Sequence, residues 1–315
     1  MKQLSSISSF KQFCWKYILP FIVCLIAGLF CIDLLFQKLI IAKTDSSGTA
    51  KVGRIKTNDD PNETPILGSS RAEGSFIPDS LGKNYFNYGM AGVQDDVWLY
   101  FLKIELAKKR KTPILINIDI DGLQSLPSGL IYWLNNTNDP VIRGFIGDKW
   151  KPIHYIPFIR HFGQFEIHLA NYLKERFEVT GATNKGAILE MKSLSKKEFE
   201  TAIEKRKAEK IIVKDDPAIH DTLMKVLSAT KGRKIIFILP PYHQSYLNAI
   251  QNINQVNKLH SEINTFPNVY LLNYSSLSFP DSFFYNTSHL NKDGAIYFNS
   301  ILKKDLDALI NAPIE

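Results

Sequence analysis

The sequence predicts an α/β fold around a parallel sheet, preceded by an apolar N-terminal helix and interrupted by one long insertion. Short β-branched or apolar runs occur at residues 65–68, 85–88, 113–120, 234–239 and 268–272. Most of these runs are continuous rather than alternating, the pattern of strands buried on both faces. Between them, residues 95–109, 218–229, 245–263 and 293–309 are helix-like, with Val97, Phe101 and Ile104 on one stripe of the first. Strands and helices that alternate along a chain give a parallel sheet covered by helices.

The first element is apolar from Tyr17 to Ile32, is broken by Asp33, and resumes as Leu34-Leu35-Phe36. That is about the 20 residues a helix needs to cross hydrocarbon. Lys2, Lys11 and Lys16 precede it with no acidic residue among them. This lysine bias predicts a single-pass plasma (inner) membrane protein with a cytoplasmic N-terminus and an extracytoplasmic main domain. A cleaved signal peptide is the rival reading, but the segment is long and no small-x-small site follows it. Neither Cys24 nor Cys31 follows a small residue, which argues against lipoprotein processing.

Residues 43–64 are polar and read as a linker and lead-in strand, carrying Asp45-Ser46-Ser47-Gly48-Thr49 and Asn58-Asp59-Asp60-Pro61-Asn62. The expected plan is therefore a cytoplasmic start and anchor at 1–42, a linker at 43–63, and one α/β domain at 64–315. Within that domain, residues 122–216 are too long for a plain loop. The first half of this insertion holds Tyr132, Trp133, Trp150, Tyr155, Phe158, Phe162 and Phe165. Such a cluster forms either the insertion's own core or a lipid-facing or partner-facing cap, covering the Ser70 edge or docking a membrane partner. The second half, residues 193–210, reads as a charged amphipathic helix with a solvated face.

A chain of 315 residues with 45% hydrophobic and 12% aromatic content can bury a large core. Its formal charge of +7 comes from lysines scattered over helical faces, with no basic cluster interleaved with aromatics, so nucleic acid is not an expected partner. All three cysteines, Cys14, Cys24 and Cys31, lie in or beside the apolar segment. The rest of the chain therefore offers neither a disulfide framework nor a cysteine-ligated metal site. No His-x-x-x-His or carboxylate cluster of ligand spacing occurs, so no metal and no cofactor is expected.

Three short blocks carry the candidate chemistry. Thr64-Pro65-Ile66-Leu67-Gly68-Ser69-Ser70-Arg71 reads as a buried strand ending in a tight turn into a helix. That places Ser70 at the carboxyl edge of the sheet, where ligands of open α/β sheets bind. On its own the block reads as a helix cap at Ser69 or Ser70, since Gly-Ser-Ser is a common tripeptide. Asn87-Tyr88-Gly89-Met90-Ala91-Gly92 follows the second strand with glycines that let backbone N–H groups face the same edge. Asn286-Thr287-Ser288-His289-Leu290-Asn291 sets His289, alone among seven histidines, in a turn just before a helix. A serine hydroxyl needs an imidazole within hydrogen-bond reach to become a nucleophile.

Taken in order, these blocks resemble the SGNH (GDSL-like) hydrolase superfamily. Gly68-Ser69-Ser70 matches the Gly-Asp-Ser block with serine for aspartate. Gly92 matches the second-block glycine, and Asn286-Thr287-Ser288-His289 stands where the family has Asp-x-x-His. Within the superfamily, Gly-Ser-Ser-Arg, His-Leu-Asn-x-x-Gly-Ala and Pro240-Pro241-Tyr242-His243 resemble membrane-anchored extracytoplasmic members. Those members assist membrane-bound O-acyltransferases in acylating cell-surface polymers.

The resemblance covers about residue 64 to the C-terminus, without the insertion, and implies a three-layer flavodoxin-like sheet. It implies Ser70 as nucleophile, His289 as general base, Asn286 as the residue orienting it, and the Ser70 and Gly92 amides as oxyanion donors. Asp121, in Ile118-Asp119-Ile120-Asp121-Gly122, stands as a possible equivalent of the third-block asparagine, or as a partner of Arg71. The implied partners are an O-acyltransferase of the membrane and an envelope polysaccharide or acyl-ester substrate. Two departures, Asn286 for aspartate and a carboxylate in the third block, keep open two functions: a serine acyltransferase or esterase, and a non-catalytic accessory or binding protein.

Overall fold

The computed structural model of the protein describes residues 10–125, 133, 139–147, 151–161, 163–177, 183–192, 194–230 and 232–311. The described strands are β1 (Thr64–Leu67), β2 (Tyr85–Asn87), β3 (Ile114–Asn117), β4 (Thr183–Asn184), β5 (Ala187–Ile188), β6 (Ile235–Leu239), β7 (Val269–Asn273), β8 (Phe284–Asn286) and β9 (His289–Leu290). Five of them form one sheet in the order β2-β1-β3-β6-β7. Every pairing in that sheet is parallel, and β4-β5 and β8-β9 are separate antiparallel hairpins. This is the flavodoxin-like order, and it reverses direction between β1 and β3. The crevice outside the carboxyl ends of those two strands is where such a sheet receives a ligand.

The central strands are buried throughout because helices cover both faces. Ile114, Ile116, Ile235, Phe237 and Leu239 belong to one core with Val97, Phe101, Leu227 and Ile263. Leu115, Ile236 and Ile238 belong to the other with Phe76, Phe298, Leu302 and Leu306. A fully buried aliphatic or aromatic side chain contributes roughly 1.5–3 kcal/mol relative to exposure, so these alternating rows carry much of the fold. Local signals start the covering helices. Asp216 caps Pro217–Ala229 by accepting the Ala218 N–H at 2.9 Å, with proline at the first helical position. Ser195 and Glu198 form a reciprocal capping box on Lys196–Ala208.

Three expectations are revised. The stretch read as a linker instead contains the helix Gly48–Thr57, with Val52 and Ile55 buried in the core. Its Lys51 is fully buried, and its ammonium donates to Glu73 at 2.8 Å and to the Gly89 carbonyl at 2.5 Å. A lysine satisfied in this way looks polar in sequence while facing inward. The helix expected over 245–263 is two helices, Gln244–Ala249 and Ile253–Ile263. Between them Ile250 bridges to Ile211, and the Asn252 side chain bonds both the N–H and the carbonyl of Val213 at 2.8 Å. A neighbouring segment thus takes the hydrogen bonds that helix continuation would have used. The strand expected to reach residue 120 ends at Asn117, and the chain after it turns toward the crevice.

The insertion's aromatics divide between two places. Trp133 and Phe145 join the core, their rings 5.3 Å apart. Phe158 and Phe165 pack against Phe36 of the N-terminal helix at 6.1 and 4.9 Å. Tyr132, Trp150, Phe162 and Ser193 lie outside the described residues. At the N-terminus, Phe10–Lys43 is one helix long and apolar enough to cross a membrane. Its Asp33 is buried rather than turned outward: the carboxylate accepts the Phe158 N–H at 2.9 Å and pairs with the Arg160 guanidinium.

Candidate active site

β1 ends at Leu67, and the chain reverses through Gly68, whose φ is +144°. A methyl group at Gly68 would lie 2.7 Å from the Asn117 Cβ and 2.8 Å from the Ala72 Cβ. Only glycine therefore allows β1, β3 and the following helix to close together here. Ser69 is the cap of the helix Ser70–Ser75, accepting the Arg71 N–H at 3.3 Å, and its own hydroxyl donates to Asp119 at 2.6 Å. Ser70, one residue further on, keeps its hydroxyl for the crevice. The cap and the candidate nucleophile are thus adjacent but different serines.

The β8-β9 hairpin brings His289 across, its Nε2 3.0 Å from the Ser70 Oγ, over a separation of 219 residues. On the other side of the ring, Nδ1 lies 3.1 Å from the Asn286 Oδ1 and 3.0 Å from the Ser288 Oγ. The amide orientation of Asn286 is fixed, because its Oδ1 accepts the backbone N–H groups of Ser288 and His289, each at 2.9 Å. The Ser288 hydroxyl also donates to that oxygen at 3.1 Å, which leaves its own lone pairs toward the ring. Both partners of Nδ1 are then acceptors, so Nδ1 carries the proton. Nε2 presents its lone pair to Ser70, the tautomer a general base requires.

Burial pushes His289 down to about 4, helped by the nearby Arg71 cation and opposed by Asp119. The unprotonated imidazole is therefore the form present throughout the neutral range. Activity that depends on His289 is expected to stay flat from neutrality to about pH 5 and to fall as pH drops through about 4, roughly tenfold per unit below it. A pH profile of kcat/KM on a small ester measures this. An acid limb near pH 6.5, the ordinary histidine value, would contradict the placement.

Arg71 is almost fully buried and ties three segments together. Its guanidinium lies 3.2 Å above the Tyr242 ring and donates to the Pro240 and Pro241 carbonyls at 3.3 and 3.2 Å. This accounts for the Pro-Pro-Tyr block after β6. The carboxylate paired with Arg71 is Asp119, at 3.4 Å, and not Asp121. Asp121 instead accepts the Tyr246 hydroxyl at 2.5 Å, and burial holds its carboxyl above the usual range. Asp119 follows β3 by two residues and faces the start of the Ser70–Ser75 helix across the switch point, where it also accepts the Ser69 hydroxyl.

The resulting cleft encloses about 220 Å³ and is lined by Ser69, Ser70, Gly92, Asp95, Asp119, Asp121, Tyr242 and His289, among others. Gly92 has a φ of +73°, a conformation glycine accepts freely. Asp95 belongs to none of the three sequence blocks. Its carboxylate accepts the Gln124 N–H at 2.7 Å and the Trp98 indole N–H at 2.6 Å, clasping the loop after β3 to a helix start. Burial, followed by repulsion from Asp119, pushes it up to about 7. An Asp-Asp pair at a helix N-terminus was its only sequence signal, and that pattern equally marks an ordinary first turn. Of the insertion's described residues only Gly122 and Gln124, at its start, line the cleft. The expected cap over Ser70 is not formed by described residues of the segment 132–165.

No protein-family model and no curated protein matches the chain. Among solved structures, a candidate platelet activating factor from Streptococcus pneumonia is similar over 87% of this chain and 97% of that one, at 12% identity and a TM-score of 0.38. A likeness that distant carries no argument about the site. The fold and the contacts themselves define the chain at the level they reach. It is an α/β protein of flavodoxin-like order, with a Ser–His–Asn constellation at its switch point and an apolar N-terminal helix long enough to span a membrane.

Proposed function

We propose that the chain is a membrane-anchored, extracytoplasmic SGNH-like protein that transfers or hydrolyses acyl esters on a cell-envelope glycan or related polymer. The observation that carries the reading is the continuous contact from the Ser70 Oγ through the His289 ring to the Asn286 Oδ1, with distances of 3.0 and 3.1 Å. Ser70 attacks the acyl carbonyl while its proton passes to His289 Nε2. The amides of Ser70 and Gly92 hold the oxyanion, and the protonated His289 gives its proton to the departing oxygen. An acceptor hydroxyl then loses its proton to Nε2 and takes the acyl group from Ser70, whose departing Oγ regains a proton from Nε2. A membrane-bound O-acyltransferase is the partner this reading assigns as acyl source.

Labelling of Ser70 by a fluorophosphonate probe tests the reading. Modification of wild type and not of Ser70→Ala supports it. A folded protein left unlabelled shifts the chain to the accessory or binding class.

The neutral Asn286 bears on rate. In a trypsin-like triad, exchanging the aspartate for asparagine costs on the order of 10⁴ in kcat, largely through the wrong tautomer. Here the fixed amide supplies the right tautomer, so the missing element is charge alone. Asn286→Asp is expected to raise small-ester hydrolysis and to move the acid limb of the pH profile upward, because a carboxylate beside Nδ1 favours the imidazolium. Measured in wild-type and Ser70→Ala backgrounds, an unchanged rate and limb would remove Asn286 from the proposed role.

A further inference from the structure

We propose that the part of the insertion comprising residues 151–161 and 163–177 rests on the lipid surface beside the N-terminal helix, with Ile153, Tyr155, Ile156 and Ile167 in the headgroup and acyl boundary. This rests on the reading of that helix as a membrane anchor and adds a second, monotopic contact to it.

Depth provides the first argument. The apolar run from Tyr17 to Phe36 rises about 30 Å as a helix, the thickness of the hydrocarbon layer. Asp33 and Phe36 therefore lie at its outer edge, and whatever packs sideways on them lies at the same level. The insertion does so through polar and aromatic contacts alike. Asp33 receives the Phe158 N–H at 2.9 Å and the Arg160 Nε at 3.1 Å, and Phe36 stacks on Phe165 at 4.9 Å. His161 also reaches Asp33, at 3.2 Å, but burial pushes it down to about 4, so Arg160 supplies the countercharge at neutral pH. A carboxylate this close to lipid is costly unless paired, and the insertion provides the pair. Glu175 adds a further tie by accepting the Asp45 and Ser46 N–H groups at 2.8 Å, just past the helix.

Surface chemistry provides the second argument. Apolar side chains beside this joint face outward: Ile153 is 47% exposed, Tyr155 57%, Ile156 41% and Ile167 47%. On the helix, Leu34 and Leu35, which stand between Asp33 and Phe36, are likewise 53% and 56% exposed. Lys43 and Arg176 are exposed and line one cleft with Glu175, and Lys151 and Lys174 are exposed on the same segment of the insertion. Apolar side chains at the boundary with lysine and arginine at headgroup level make the pattern of an interfacial segment. The occupant is therefore lipid, continuous with the lipid around the helix, and anionic headgroups fit the basic residues.

Nitroxide accessibility in the full chain tests this. With Cys14, Cys24 and Cys31 replaced by serine, a label is placed at Ile156→Cys, at Leu25→Cys within the helix, or at Ile296→Cys. Ile296 is comparably exposed, at 47%, on the C-terminal helix. The protein is reconstituted in vesicles of phosphatidylcholine and phosphatidylglycerol, and relaxation by oxygen is compared with that by a water-soluble nickel chelate. A ratio of oxygen to nickel accessibility severalfold higher at 156 than at 296, approaching that at 25, is the expected result. A label at 25 in lipid with one at 156 open to nickel overturns the proposal and leaves the anchor standing. Low access of both reagents at 156 means a protein surface covers it and also overturns the proposal. Nickel access at 25 overturns the anchor reading and this inference with it.

Discussion

Ser70→Ala is expected to lower turnover by a factor on the order of 10³–10⁶, with what remains due to binding and the oxyanion donors. Its Oγ lies 3.0 Å from the His289 Nε2, and Ser69 cannot replace it, because the Ser69 hydroxyl is committed to Asp119 at 2.6 Å. His289→Ala is expected to match Ser70→Ala, and the double variant to be no worse than either, since a nucleophile and its base act as a unit. Ser69→Ala removes a helix cap worth about 1 kcal/mol and one hydrogen bond to Asp119, so it weakens the protein without abolishing turnover. Steady-state rates on a small ester for the four variants measure this. Equal activity in wild type and Ser70→Ala would move the chain to the binding class.

Lys51→Met is expected to be strongly destabilising. Lys51 is 0% exposed and donates to Glu73 at 2.8 Å, and the other Glu73 oxygen accepts the Ala91 N–H at 3.1 Å. Removing one member of a buried, hydrogen-bonded ion pair leaves the other charge uncompensated, at a cost of about 3–5 kcal/mol. For a chain of this size that corresponds to a fall in Tm of about 5–8 °C. The loss is also local to the site, because Lys51 donates to the Gly89 carbonyl and Glu73 holds Ala91, which fixes the loop leading to Gly92. Thermal unfolding of the two forms measures the first effect, and the KM and kcat of Lys51→Met measure the second. Lys51→Met with Glu73→Gln is expected to recover part of the stability, since the stranded charge is then gone. A Tm within a degree or two of wild type in Lys51→Met alone would show the pair to be dispensable.

Much of the site was legible as short blocks at the ends of apolar runs, because a strand buried on both faces must be continuous and its carboxyl end must turn. Gly68-Ser69-Ser70 and Asn286-Thr287-Ser288-His289 could be read in that way, and the structure brings Ser70 and His289 within one hydrogen bond. Asp119 and Asp95 were not legible as members of the cleft. The side chain an aspartate meets depends on register across the β1-β3 switch and on a loop folded back to Gln124, and neither leaves a periodic trace. Lys51 was misplaced for a related reason: composition counts a lysine as solvated, and only a specific partner far along the chain makes its burial tolerable.

By itself the sequence determined the alternation of buried strands and covering helices, the apolar N-terminal helix of spanning length, and the separate blocks that hold a serine, a glycine turn and a histidine. These are local properties: hydrophobic period, segment length and turn chemistry act over a few residues. Tertiary structure alone decided that Asp119 rather than Asp121 pairs with Arg71 and that the polar stretch before β1 is a core helix. It also decided that Phe158 and Phe165 pack on the N-terminal helix, away from Ser70. Each of these depends on which distant groups satisfy a buried charge or cover an aromatic ring, and such pairing is set by packing across the whole chain.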